Sequence, residues 1–214
     1  MPAQPTVRTY RTMLRATSGF SLPLLLIGSA IGVAMLAGAS TVIAHTLVSH
    51  KQLLNSMYLD VELTKLSALI TNRVSKSGWH GKAKSQYLSK AVIPNDFANQ
   101  FSIGHHPKEV KNSCILFASD LNDNGTPDVG SPEERMGFRL RKKALEMRLS
   151  GKPCNANGWQ DITADTRLEI DDLTFQAMPH GQFTLIQVSI SAHAKPFRHL
   201  KRNVSFSLVV NHEI

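Results

Sequence analysis

The residues whose types and spacing could do chemistry are few. Asp120, Asn122, Asn124 and Asp128 stand in the run DLNDNGTPD, which matches the opening of a calcium loop, D-x-N-x-N-G. Such a loop surrounds a hard cation with oxygens from alternate positions, and its glycine allows the sharp turn. The twelfth position is Ser131, so the bidentate glutamate of that pattern is missing, and Glu133 and Glu134 lie just beyond. An Asn/Asp/Gly turn also forms without metal. A calcium site and a plain turn are both compatible with these residues. No other cofactor is expected.

Cys114 and Cys154 are the two cysteines, and neither belongs to a C-x-x-C pair, which argues against a thiol redox site or a zinc site. An even count downstream of an export signal suggests one disulfide in an oxidising compartment. It would close a loop of about 40 residues, worth roughly 3–4 kcal/mol in the chain-entropy model. Basic residues gather in two clusters: Lys142, Lys143, Arg148 and Lys152, then Lys195, Arg198, Lys201 and Arg202. Either could meet the phosphates of DNA. The competing reading is strand edges guarded by Lys and Arg. The formal net charge of +8 could favour anionic partners such as DNA, lipopolysaccharide or membrane, but a solvated face accounts for it more simply. The adjacent His105 and His106 point in different directions and read as surface residues. No G-x-S-x-G, H-E-x-x-H or P-loop occurs, so a non-catalytic protein is expected.

These residues hang on a chain organised by its N-terminal stretch. Residues 19–47 contain no Asp, Glu, Lys or Arg. At about 1.5 Å of helix rise per residue, this run can cross a ~30 Å hydrocarbon core. Arg8, Arg11 and Arg15 precede it without any acidic residue. One reading is a signal anchor with its arginines held in the cytoplasm. A second is a secretory signal cleaved at the small-x-small site Ala37-Gly38-Ala39. The third depends on the junction itself, where a basic leader ends in Gly19 and Phe20-Ser21-Leu22 opens the apolar run.

Beyond the apolar run the helical pattern continues. Leu53/Leu54, Met57/Tyr58, Val61, Leu66 and Leu69/Ile70 recur near every 3.6 residues, with Lys51, Gln52, Asp60, Glu62 and Lys65 on the other faces. Gly78 is the expected stop. The spacing predicts one helix of roughly 55–60 residues, far above the ordinary ~11–12. Gly28, Gly32 and Gly38 allow close helix packing in lipid or in a filament core. Residues 79–110 read as loops with one short helix. Strands are expected over 113–119, 136–141, 143–149, 167–176 with a bulge near Asp171-Asp172, 183–193 and 203–211, from their alternation.

Gly19-Phe20-Ser21-Leu22 after a basic leader resembles the class III signal of type IV prepilins. That resemblance implies cleavage after Gly19 by prepilin peptidase and methylation of the new N-terminal Phe20. Removal of the leader would lower the net charge by three arginines. The family carries Glu at the fifth mature position, paired with the terminal amine of a neighbouring subunit. Here that position is Leu24, preceded by Pro23, which suits the first turn of a helix. A buried ammonium without its partner is costly, so the departure hints at an initiating or tip position or at a degenerate relative.

The succession LSALITNRVSKSGWHG, CILFASDLNDNG, ERMGFRLRKKALEMR, CNANGWQDIT and IDDLTF is similar to the PilW-type minor pilins of type IV pili, and more distantly to the J-type pseudopilins of type II secretion. The resemblance implies an α+β, pilin-like fold with one long N-terminal helix packed on an antiparallel β-sheet. It divides the chain into a leader (1–19), a transmembrane or filament-core helix (20–50), its amphipathic continuation (51–78) and a periplasmic β-rich head (79–214). It implies a structural subunit that primes or caps pilus assembly, held in the inner membrane by one pass and later incorporated in the pilus. Its partners would be other minor and major pilins and prepilin peptidase. A type II secretion pseudopilin, a DNA-binding competence-type minor pilin, and an exported or anchored periplasmic domain are the alternatives.

Overall fold

The computed structural model describes residues 21–83, 88–89, 95–163, 167–181, 183–195 and 197–211. Gly19 and Phe20, the expected processing junction, lie outside the described residues. The chain divides into two compact units, Met1–Ser49 and His50–Ile214.

One helix, α1, runs over Leu22–Val74. Pro23 falls in its first turn, where no backbone donor is needed. Within Met1–Ser49 the described helix is apolar and exposed, and it is long and apolar enough to cross a membrane. Four of its hydroxyls fold back onto the backbone. Ser29 donates to the Leu26 carbonyl, Ser40 to Leu36, Thr41 to Gly38 and Thr46 to Val42. Hydroxyls satisfied in this way can face hydrocarbon without an unpaired polar group. This segment fits a single-pass membrane anchor.

In the unit His50–Ile214 the helix buries Leu59, Leu63, Leu66, Ile70 and Val74, a face set by the helical period. This corrects the stripe expected from the sequence. Leu66 and Ile70 belong to the covered face, whereas Leu53, Leu54, Met57 and Val61 are each more than half exposed. The helix then ends in a turn, and Gly78, at φ 83°, donates its N–H to the Ala118 carbonyl.

The head is built from two antiparallel sheets, where a single sheet was expected. The first is five-stranded, in the order β1 (Ser102–Gly104), β2 (Cys114–Ala118), β3 (Arg135–Arg141), β4 (Ala144–Met147) and β5 (Gln160–Asp161). The second is a three-stranded meander of β6 (Leu168–His180), β7 (Phe183–Ala194) and β8 (Phe197–Asn211). A 3-10 turn at Ala98–Gln100 precedes β1. The sheets are stitched where the Ile170 and Phe175 amides of β6 donate to the carbonyls of Lys143 and Asn112. Phe117, Phe138, Phe175, Ile186, Val188 and Leu208 meet the buried face of α1 in one apolar cluster. The α+β architecture and the helix packed on antiparallel sheets are those expected.

The bulge also falls where expected, between Ile170 and Asp172. Its physical use is visible, because Asp171 accepts from Nδ1 of the buried His193 on β7 at 2.9 Å.

Candidate functional site

The cysteines pin a long loop to the sheet. Cys114 and Cys154 form a disulfide with Cα atoms 6.1 Å apart. Beside it lies a second clamp that sequence reasoning missed. Arg139 is the direct partner of Cys114 across the β2–β3 pair. Its guanidinium donates to the carbonyls of Cys154 and Ala156 at 2.6 and 2.7 Å and pairs with Glu146 at 2.6 Å. It also stacks over Trp159, 4.4 Å from the ring centre. The side chain is 2% exposed, so it is a structural cation wholly spent inside the head. In the alternation of β3 it occupies a position that reads as solvent-facing. Only the run of buried neighbours on both sides of the strand reveals otherwise.

The loop at 120–128 is closed by hydrogen bonds within itself and to Gly81 and Glu134. Asp120 Oδ2 accepts from the amides of Gly81 and Gly125, each at 2.9 Å. Asp128 Oδ2 accepts from the carboxamides of Asn122 and Asn124 at 2.9 and 2.7 Å. Asn122 and Asn124 in turn accept from the amides of Asn124 and Thr126. Glu134, fully buried, takes the amides of Leu121 and Asp128. Gly125 sits at φ 74°, a conformation that L side chains rarely adopt. Burial pushes the Asp120 carboxyl up. The amides of Gly81, Gly125, Asp123 and Asn122 outweigh that penalty and hold it below the usual carboxylate range. Among the described residues no group of three or more His, Cys, Asp or Glu is arranged to hold a metal. These hydrogen bonds hold the turn together.

Three members of the two basic clusters, Lys142, Lys143 and Lys195, come together at one end of the β3–β4 hairpin. Lys142 and Lys143 are the two central residues of the β3–β4 hairpin, both at positive φ. With Lys195 from the β7–β8 turn they line a cavity of about 110 Å³, together with Asp161 and Glu169. Lys143 is bonded to Glu169 at 3.0 Å. That bond is the main reason the Glu169 carboxyl lies below its usual range. Arg202 is held by Asp60 of α1 at 2.9 Å and by Ser56. Arg198 and Lys201 are exposed on β8. Arg148 does not belong to a phosphate-binding surface. It is buried and donates to the carbonyls of Met136, Gly151 and Lys152. Of the histidine pair, His105 is exposed but His106 is buried, contrary to the surface reading. Burial, then Arg141 and Arg139, keep His106 below the usual imidazole range.

Comparison with known proteins gives a pilin-related family. A family model, prepilin peptidase-dependent protein B, matches residues 52–210. Prepilin peptidase-dependent protein B of Escherichia coli (strain K12) is 29% identical over 100 residues, 44% of this chain. The match spans about half of that relative, 52% of its length. No solved structure matches. The matched family span covers the packed part of α1, both sheets and the disulfide loop, and on that extent the chain belongs to the family of prepilin peptidase-dependent protein B.

Proposed function

We propose that the chain is made as a prepilin, cut after Gly19 by prepilin peptidase and methylated on Phe20. It then acts as a PilW-type minor pilin that primes or caps assembly of a type IV pilus. The observation that carries this reading is the family match over 52–210, in a chain with one exposed apolar helix next to a basic leader. The name of the matched family itself speaks of dependence on that peptidase. Residues 1–19 are the leader, 20–50 the membrane and filament-core segment, 51–78 its amphipathic continuation and 79–214 a periplasmic head. The subunit waits in the inner membrane with the apolar helix in lipid, and then enters the filament beside other pilins. Its role is structural, carried by packing surfaces and not by catalysis. Leu24 lacks the carboxylate that would neutralise a neighbour's buried terminal ammonium, so the subunit is suited to the tip, where it need not dock beneath another.

The decisive experiment is the N-terminal residue and intact mass of the protein purified from its native membrane. N-methyl-Phe20 is the expected result. Met1 would make the protein a plain anchor, and Ser40 would make it a secreted domain; either result overturns the proposal. Co-purifying subunits then separate a pilus from a secretion pseudopilus.

A further inference from the structure

Among the described residues one strand edge of the head is long and unpaired, and it borders an exposed apolar stripe of the helix. We infer that this surface docks an extended segment of another pilin-like subunit, added as a fourth strand beside β8, with carboxylates facing Arg198 and Lys201. The inference rests on the functional reading above and names the surface by which the subunit would meet its neighbour.

The four outer edges of the two sheets differ sharply. In the first sheet they are β1, of three residues, and β5, of two, too short to template a partner. In the second sheet, β6 gives amides on its outer side to Lys143 and Asn112. The fifteen-residue β8 is different: among the described residues its outer side makes no backbone hydrogen bond. Proteins blunt such edges with charge, proline or a bulge. On β8 these guards occupy one end only. Arg198, Lys201 and Arg202 lie near its start, and the register shift falls at His193/Ala194, by the turn that leads into it. Residues 203–211, NVSFSLVVN, carry no charge and no proline. Their register against β7 is continuous, from Ser191↔Asn203 to Phe183↔Asn211. Leu208 and Val210 are buried and fix the strand, while Val204 and Phe206 on the same face pack against the core but stay only half-buried.

The helix extends the surface. By its period, Ser56 and Asp60 lie between the buried face and the stripe of Leu53, Met57 and Val61. Arg202 of β8 binds both Ser56 and Asp60. The exposed stripe therefore flanks the open edge, and a partner that adds a strand can cover both. Strand addition supplies affinity through the main chain and specificity through alternate side chains. The charge pattern selects the partner. From Phe197 to Asn211 there is no acidic residue, so pairing with a second copy leaves each basic end without a counter-charge.

Hydrogen exchange of the full chain in detergent, alone and in complex with the pilin-like subunits that co-purify with it, tests the inference. Amides of 203–211 should slow about tenfold or more in the complex. The triple change Ser205→Lys, Ser207→Lys and Val209→Lys, at exposed positions, should abolish both that protection and the co-purification. The melting temperature and the disulfide should be unchanged. A photo-crosslinker at Ser207 should capture the partner subunit. A complex whose β8 amides exchange as fast as in the isolated chain overturns this inference alone, as does capture of a second copy only. Absence of any pilin-like subunit overturns it together with the functional reading.

Discussion

At the scale of single residues, the chemistry of this head is spent on holding its loops. Arg139 is the clearest case. Removing it strands Glu146 and the carbonyls of Cys154 and Ala156 inside the protein. Arg139→Ala should therefore cost about 3–5 kcal/mol, measured by denaturant unfolding with the disulfide intact. Arg139→Lys should recover little of it, because one ammonium cannot reproduce the fork that spans the carboxylate and two carbonyls. Asp120 makes a pH-dependent contribution. Its carboxyl is held below its ordinary value of 3.8 in the folded chain. The stability it adds is thus fully present above pH 3.8 and is lost as pH falls through the lower, folded-state value. Asp120→Asn should destabilise the head at pH 7, and the gap from the natural chain should narrow below pH 3.8. A constant gap across an acid titration would remove the charged carboxylate from that role. The sequence made part of this legible. Asp120, Asn122, Asn124 and Asp128 do form one local constellation, but their pattern does not say that the Asn amides close on Asp128. Arg139 was illegible because alternation assigns it a solvent face, and only the covering loop from Cys154 to Trp159 takes that solvent away.

At the scale of elements, α1 carries two apolar stripes with different fates. Leu63 is fully buried in the core cluster, while Met57 is 57% exposed. Leu63→Ala should lower head stability by about 2–5 kcal/mol. Met57→Ser should stay within about 0.5 kcal/mol by the same measurement. Equal losses would mean that the outer stripe is covered within the chain itself. The period of the helix was readable, and so was its stop before Gly78; its 53 residues fall slightly short of the length expected. The choice of face was not, because Leu53, Met57 and Val61 satisfy a helical spacing as well as Leu59, Leu63 and Leu66 do. Long strands with clean alternation, β7 and β8, were legible, as was the bulge at Asp171. The three residues of β1 and two of β5 were not, since segments so short make no pattern of their own and exist by pairing with β2 and β4. The division into two sheets was hidden for a similar reason: alternation marks a strand without naming its neighbour.

At the scale of the whole molecule, the two units differ in what they do with their apolar surface. Every helical member of the core cluster comes from Leu59 onward, and among the described residues none before His50 belongs to it. The apolar run of the first unit is exposed instead, and the hydroxyls of Ser29, Ser40, Thr41 and Thr46 are already satisfied by its own backbone. A chain beginning at His50 should therefore fold on its own, remain in solution without detergent and melt cooperatively. The full chain should need detergent or lipid. The truncated head should also display the disulfide's effect directly. Reduction, or Cys114→Ser with Cys154→Ser, should lower its stability by about 3–4 kcal/mol through the freedom returned to the unfolded loop. Arg139 provides a control, because it binds the Cys154 carbonyl whether or not the sulfurs are joined. If Arg139 keeps the loop ordered after reduction, Trp159 should stay shielded, with unchanged fluorescence, until the head unfolds. A shift of that fluorescence on reduction alone would mean that the covalent bond, and not the buried cation, positions the loop.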